Sequence, residues 1–227
     1  AIEKAGIHRP GVPLLCLDHE DEEVRLAIEG VAGGDVVWIP RESEDAQEVA
    51  RSMASVIGRR IGWKDIETSV MWPGRSLDRI NWSGAELVLS AAHNSESLSH
   101  DLGRLGSERY VLVVGMTQKA DLSESIEPLL HSKGSIQTIV TEVHGGRSPS
   151  VPAETLSEHL SRNLGESPLL ITAPIEAIDA ASRLASEKGC IVYVTGSVYL
   201  VGQAIEEILS REGGDLWEYL EAHPPRE

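Results

Sequence analysis

Short runs of apolar residues alternate along the chain with longer stretches in which apolar positions recur at helical spacing. The runs predict strands and the longer stretches predict helices. This alternation is typical of an α/β fold with a mainly parallel sheet, because each parallel strand needs a crossover before the next. The predicted strands are 12–17, 35–40, 86–92, 110–115, 135–143, 168–173 and 190–196, and the predicted helices are 20–32, 43–62, 95–105, 121–132, 152–163, 175–188 and 198–212.

The alternation becomes regular after the segment WPGRSLDRINWSG (72–84), which predicts a turn followed by a strand. We therefore place a domain boundary just before it, between residues 1–70 and 71–227. The strands beyond the boundary are continuous apolar runs, as expected where helices cover both faces of a sheet. The closing piece DLWEYLEAH (215–223) predicts a short amphipathic element.

Ligands of such sheets bind beyond the carboxyl ends of the strands. The polar residues at four predicted strand ends are rich in groups that bind anions, which makes this edge a candidate site. The four ends are Ser90–Asn94, Gly115–Lys119, Val143–Arg147 and Thr195–Ser197.

The amino-acid composition argues against some classes of function. The 227 residues carry 20 Lys and Arg against 36 Asp and Glu, a formal net charge of −16. This acidity argues against nucleic acid as a partner, but it leaves room for a local basic site that holds a phosphate. The sequence has no apolar run long enough for a membrane span and no secretory signal pattern. The cysteines, Cys16 and Cys190, indicate reduced thiols in a cytoplasmic protein.

The common phosphate cradles are absent from these 227 residues. They contain neither G-x-x-x-x-G-K-[ST] nor G-x-G-x-x-G. They also have no Cys and His cluster at zinc spacing and no G-x-S-x-G nucleophile elbow. Any nucleotide site in these residues must therefore be built differently.

Each local motif has a structural and a functional interpretation. Lys4 is either a solvated charge or a lysine that carbon dioxide converts to a carbamate, which suits magnesium. Arg75 is either part of a turn or a rigidly held phosphate ligand. His93 is either a structural hydrogen-bonding group or a group that meets anions before a helix. The turn Thr195–Tyr199 is either a helix cap or a grip on a carboxylate or phosphate.

Taken together, five segments resemble the folylpolyglutamate synthase and dihydrofolate synthase family of the Mur ligase superfamily. The family patterns are EKAGI-x-[KR]-x-G-x-PVV, WPGRLE, LDGAHNPEA, G-x-x-x-DKD and TGSLYLVGEA. The order and spacing agree over nearly the whole chain. The matching segments are EKAGIHRPGVPLL (3–15), WPGR (72–75), LSAAHNSES (89–97), VLVVGMTQKAD (111–121) and TGSVYLVGQA (195–204).

The resemblance implies an ATP-dependent ligase that phosphorylates a carboxylate and lets an amino group attack the acyl phosphate. In this family the acid is a folate or pteroate, the amino group belongs to glutamate, and ATP and Mg²⁺ are the cofactors. The implied architecture is a Rossmann-like Mur ligase carboxy-terminal domain over 71–227, preceded by the tail of the central ATP-binding domain over 1–70.

The resemblance also implies roles for individual residues. Lys4 would be catalytic and, once carbamylated, would bind magnesium. His93 would be catalytic by steadying the attacking amine or the transferring phosphoryl group. The implied nucleotide contacts are Arg75, Ser90, His93 and Asn94, and the implied glutamate contacts are Ser197, Tyr199 and Arg147.

The chain departs from the family pattern at three points. Ser90 stands where the family has Asp, so the strand end lacks that negative charge. Lys119 is displaced by one position from the lysine of the DKD turn. Of the family's H-Q-x-x-N, only Gln47 remains.

Phosphoryl transfer depends on positioning and on cations that clamp the phosphates. We therefore expect a ligase fragment, or half of a split enzyme, that needs a phosphate-loop segment in cis or in trans and is inactive alone. One alternative is a degenerate, non-catalytic homologue that binds a nucleotide or a partner. Another is an enzyme of the same superfamily with a different acid substrate.

Overall fold

A computed structural model describes residues 9, 11–33, 35–43, 46–63, 73–75, 77–161 and 167–214. Contacts between Cα atoms divide the chain into two units, Ala1–Thr68 and Ser69–Glu227. The assignment of residues 1–70 to a central ATP-binding domain stays a prediction. The predicted element DLWEYLEAH (215–223) lies outside the described residues.

The described residues of the first unit form a pair of parallel strands and two helices. Asp21 caps the first helix, because its side chain accepts a hydrogen bond from the Glu23 amide at 2.9 Å. The left-handed residue Gly33 ends the same helix. The elements are β1 (Leu14–Leu17), α1 (Glu22–Ala32), β2 (Val36–Ile39) and α2 (Ala46–Arg60).

The second unit is built on a six-stranded sheet. Its strands are β3 (Asp78–Trp82), β4 (Ala85–Leu89), β5 (Tyr110–Val114), β6 (Ser135–Val140), β7 (Leu169–Leu170) and β8 (Ile191–Thr195). They lie in the order β3-β4-β8-β5-β6-β7, and only the pair β3 and β4 is antiparallel among these six. The predicted α/β class with a mainly parallel sheet is therefore confirmed.

Among the described residues of this unit, five helices connect and cover these strands. Three of them begin at a polar cap, since the side chains of Asn94, Asp121 and Ser197 each accept a backbone N–H of the following turn. In the described residues, no helix combines the length and the apolar character that a membrane crossing requires. The helices are α3 (Ser95–Leu105), α4 (Leu122–Leu130), α5 (Ala153–Ser161), α6 (Pro174–Lys188) and α7 (Val198–Glu212).

The sheet is buried on both faces. Side chains alternate along a strand, so Val111 and Val113 of β5 enter one core cluster, while Leu112 and Val114 enter the other. The first cluster includes residues of α6 and α7, and the second includes residues of α3, α4 and α5. This two-sided burial explains why the strands are apolar throughout.

Three strand predictions are wrong in extent. The predicted strand 135–143 ends as β6 at Val140. The predicted strand 168–173 contains only the two residues Leu169–Leu170 of β7. The predicted strand 86–92 ends as β4 at Leu89, and the residues after it form the loop before α3. The segment 72–84 contains β3, which pairs with β4 in antiparallel orientation. The turn Ser83–Gly84 joins the two strands, and its residues have positive φ angles of 48° and 85°.

Candidate functional site

The carboxyl ends of four parallel strands meet at one edge of the sheet, and the four predicted segments lie there. The Gly196 amide donates to the Ala92 carbonyl at 3.0 Å. The Gly115 amide donates to the Thr195 carbonyl at 3.3 Å. The ends of β4, β8 and β5 are therefore in direct contact, as the sequence argument requires of a site at this edge.

Gly196 allows the turn after β8 to approach β5 closely. Its φ is +102°, and a Cβ at this position would lie 2.6 Å from the Gly115 carbonyl oxygen. A side chain would thus meet both an unfavourable backbone conformation and a close contact. This is a physical reason for the glycine in the motif Thr195–Tyr199.

The corner that carries Arg75 packs against the loop after β4. Gly74 has φ +75°, and a Cβ there would lie 2.8 Å from Cγ1 of Val201 in α7. The Gly74 carbonyl accepts the Ala91 amide at 2.6 Å, and its amide donates to Oδ2 of Asp78 at 2.5 Å. Arg75 follows this anchored glycine and is exposed. The corner is therefore held beside the segment that contains His93.

His93 is half-buried, and its ring is oriented by the backbone. Its Nδ1 lies 2.9 Å from the Ala91 carbonyl oxygen. We infer that Nδ1 carries the proton in the neutral ring, because a carbonyl can only accept. Nε2 is then an acceptor that can take a proton at the carboxyl end of β4.

Two of the predicted ligand contacts are helix caps. Oδ1 of Asn94 accepts the Ser97 amide at 2.9 Å, which leaves its amide nitrogen as the group able to meet a ligand. Ser197 is 2% exposed, and its hydroxyl accepts the Tyr199 amide at 3.2 Å. The capping interpretation of the turn Thr195–Tyr199 is confirmed at Ser197, and Asn94 is a cap that the sequence analysis did not predict. The nucleotide contact of Asn94 and the glutamate contact of Ser197 stay predictions.

Tyr199 and Arg147 belong to neighbouring segments at the β6 side of the edge. A Cβ at Gly146 would lie 3.4 Å from Cδ2 of Tyr199 and 3.0 Å from Cγ2 of Thr117. Tyr199 is half-buried, and Arg147, next to Gly146, is exposed. The structure therefore brings these two predicted glutamate contacts to the same part of the edge.

Ser90 has no exposed surface. Its hydroxyl donates to Oδ2 of Asp101 at 2.5 Å. A contribution of Ser90 to nucleotide binding would therefore act through the backbone that follows it. Asp101 was missed by the sequence argument, although a signal exists: it is a carboxylate at helical spacing from the buried residues Leu98 and Leu105.

Lys119 departs from the family motif and is not among the predicted site residues. It is half-buried on the loop after β5, and burial lowers its pKa. Neighbouring backbone anchors this loop, since the Gln118 amide donates to the Pro149 carbonyl at 2.9 Å. Lys119, Arg75 and Arg147 form no ion pair with any residue that the structure describes.

Lys4 lies outside the described residues, so its catalytic role, its carbamylation and its magnesium contact stay predictions. Within the described part of the chain, no group of three or more His, Cys, Asp and Glu side chains could hold a metal ion.

A cavity of about 300 Å³ lies near the β6 end, and its lining contains His144 of the segment Val143–Arg147 but none of the residues to which the resemblance gives a role. Its acidic lining does not favour anions. The lining residues are His144, Pro174, Ile175, Gln203, Glu206, Glu207 and Ser210.

Comparison with solved structures shows extensive similarity. The Mycobacterium tuberculosis folylpolyglutamate synthase complexed with ADP and AMPPCP matches at a TM-score of 0.73 and 18% identity, over 94% of this chain and 59% of that chain. Escherichia coli FolC in complex with ADP matches at a TM-score of 0.70 and 23% identity, over 94% of this chain and 57% of that chain. The Yersinia pestis bifunctional folylpolyglutamate synthase/dihydrofolate synthase matches at a TM-score of 0.65 and 17% identity, over 91% of this chain and 55% of that chain.

By sequence, neither a protein-family model nor a curated protein matches the chain. The chain spans between 55% and 59% of the length of these three solved structures. Similarity at this level of identity shows the fold. The chain thus has the fold of a large part of a folylpolyglutamate synthase.

Proposed function

We propose that the chain is part of an ATP-dependent ligase of the folylpolyglutamate or dihydrofolate synthase type, which adds glutamate to a folate or pteroate carboxylate. The supporting observation is the convergence of Arg75, His93, Tyr199 and Arg147 at one edge of a sheet with this fold. Solved relatives in fold support the ligand classes. One is FolC in complex with DHPP and ADP, and another is complexed with AMPPNP and a Mn ion.

The edge suits anionic groups. Arg75, Lys119 and Arg147 supply positive charge there, although the whole chain carries −16. Helix α7 begins at the edge with no acidic residue in its first turn, so its amino end favours a negative charge. Gly196 removes the side chain that would separate two strand ends. Nucleotide phosphates and the carboxylates of glutamate both fit these surroundings of cations and backbone amides.

In the proposed reaction, ATP with Mg²⁺ supplies the phosphoryl group that converts the acid to an acyl phosphate, from which the amine of glutamate displaces phosphate. Arg75 and Lys119 would hold phosphate oxygens, and Arg147 with Tyr199 would orient glutamate. Nε2 of His93 would accept a proton from the attacking amine, since Nδ1 is held by a carbonyl. Lys4, once carbamylated, would be the magnesium ligand.

The first test follows ADP binding to the 227-residue chain by amide chemical shifts. Because these residues contain no phosphate loop, we expect weak binding, with Kd on the order of 1 mM. The shifts should cluster at the four strand ends. Arg75→Ala and Lys119→Ala should each weaken binding about tenfold, because the proposal places both side chains on phosphate oxygens. Arg109→Ala is the matched control, because this exposed arginine precedes β5 at the opposite edge and should change Kd less than about twofold.

The second test separates a ligase from a non-catalytic binding protein. In the full-length gene product, glutamate-dependent phosphate release should require an acid substrate, and His93→Ala should lower kcat about 100-fold. ADP shifts without such release would favour the non-catalytic homologue. Absence of ADP shifts at the strand ends would contradict the proposal for this edge.

A further inference from the structure

A buried polar network joins three parts of the second unit. The Ser90 hydroxyl donates to Asp101 on α3 at 2.5 Å and accepts the Ala92 amide at 3.1 Å. The hydroxyl of Thr195, at the end of β8, lies 3.3 Å from both Ser90 Oγ and the Ala92 carbonyl oxygen, to which it can donate. Ser90 and Thr195 are fully buried. The network therefore ties helix α3 to the ends of β4 and β8.

Asp101 completes this network. Its side chain is only 13% exposed, so the carboxylate needs hydrogen bonds to offset its desolvation. The Ser90 oxygen accepts a hydrogen bond from the Ala92 amide, and the buried hydroxyl hydrogen of Ser90 needs an acceptor of its own, which Asp101 supplies. The hydroxyl of Tyr193 is buried next to Ser90 and Thr195. Burial and the charge of Asp101 raise its pKa, so this hydroxyl stays protonated beside the network.

We infer that Asp101 is a positioning residue of the proposed active site. Through Ser90 it holds the backbone of residues 90–93 against the turn after β8. That backbone carries His93, whose ring bonds to the Ala91 carbonyl, and it accepts the Gly196 amide through Ala92. The Asp101 carboxylate of helix α3 thus fixes the backbone at the carboxyl end of β4. The inference rests on the proposed function for the site, but the network itself can be tested without it.

The test compares amide hydrogen exchange and ADP affinity among variants. Asp101→Ala should speed exchange of the Ala92 and Gly196 amides by about tenfold, since a hydrogen bond to a charged group is lost. ADP affinity should fall by a similar factor. The Leu112 amide in β5 reports global opening and should change less than about threefold. Glu96→Ala, at an exposed position of α3, should leave all three amides unchanged.

The rescue variant exchanges the two partners, as Ser90→Asp with Asp101→Ser. It keeps one carboxylate and one hydroxyl across the same contact, so exchange and affinity should return to within about threefold of the wild type. Asp101→Asn, which retains an acceptor oxygen, should also keep the two amides protected. If Asp101→Ala does not fold, these two variants decide the question.

Unchanged exchange at Ala92 and Gly196 in a folded Asp101→Ala protein would overturn the inference. Failure of both Asp101→Asn and the exchange variant to keep these amides protected would overturn it too. If the wild type binds no ADP, the proposed function fails at this edge, whereas the amide exchange still decides whether Asp101 positions the loop.

Discussion

Substitution of Gly196 by alanine tests the close approach on which the candidate site depends. A Cβ at this residue would lie 2.6 Å from the Gly115 carbonyl oxygen, well inside ordinary van der Waals contact. Overpacking of this kind costs roughly 1–3 kcal/mol. The φ of +102° adds roughly 1–3 kcal/mol for a residue other than glycine. Gly196→Ala should therefore lower the free energy of unfolding by roughly 2–6 kcal/mol.

Two other glycines separate these contributions. Gly189 has φ +63°, and a Cβ there would have nothing within 4 Å, so Gly189→Ala should show only the backbone cost, roughly 1–2 kcal/mol. Gly202 lies in helix α7, also in open space and without a positive φ. Gly202→Ala should be stabilising by roughly 0.5–1 kcal/mol, because alanine favours the helix.

The assay is urea denaturation of the whole chain, followed by circular dichroism and by tryptophan fluorescence. The difference between Gly196→Ala and Gly189→Ala measures the cost of the contacts around Gly196 together with any extra backbone cost of its larger φ. A difference below about 0.5 kcal/mol would refute the reasoning, because it would mean that the β8 turn moves away from β5 at little cost.

Three further predictions concern the second unit. Burial alone would raise the pKa of the Asp179 carboxyl, but hydrogen bonds from Arg211 and Trp82 outweigh it and lower the pKa. Asp179 therefore stabilises the fold above about pH 4 and loses this effect as pH falls, so the stability gap to Asp179→Asn should shrink in acid. Leu98 is fully buried, and Leu98→Ala should cost roughly 2–5 kcal/mol in urea denaturation. Asn94→Ala should lower the free energy of unfolding by about 1 kcal/mol, because it removes the cap of α3. Asn94→Ser should keep most of the stability that the cap contributes. The Asp179 argument would be contradicted if the stability gap did not change with pH. The Leu98 argument would be contradicted by a loss below about 1 kcal/mol, and the Asn94 argument by equal losses of stability in its two variants.

Much of the architecture follows from local pattern. The predicted helices 95–105 and 198–212 agree residue for residue with α3 and α7, because helical spacing and polar caps act within a few residues of the chain. The continuous apolar strands indicate a sheet covered on both faces, and the core clusters confirm it. The placement of a candidate site at strand ends also follows from the fold class.

Which strand ends touch was decided by the tertiary structure. β8 lies between β4 and β5, so Gly196 meets Ala92 and Gly115 across long stretches of sequence. Nothing in the local pattern encodes this strand order, since β4, β5 and β8 are all apolar runs. The same holds for the short β7, whose register pairs with β6 are Leu169 and Leu170, while backbone hydrogen bonds from Ile171 to Val140 and from Glu142 to Thr172 continue the contact outside the strand.

The sequence by itself determined the element types, the class of fold and the segments that carry chemistry, because these depend on periodicity and on neighbouring residues. Tertiary structure decided the burial of Ser90 and its bond to Asp101, as well as the burial of the Ser197 cap. Those properties depend on which distant groups share a low-dielectric interior, where an unpaired polar group is costly. They become visible only when the strands are assembled.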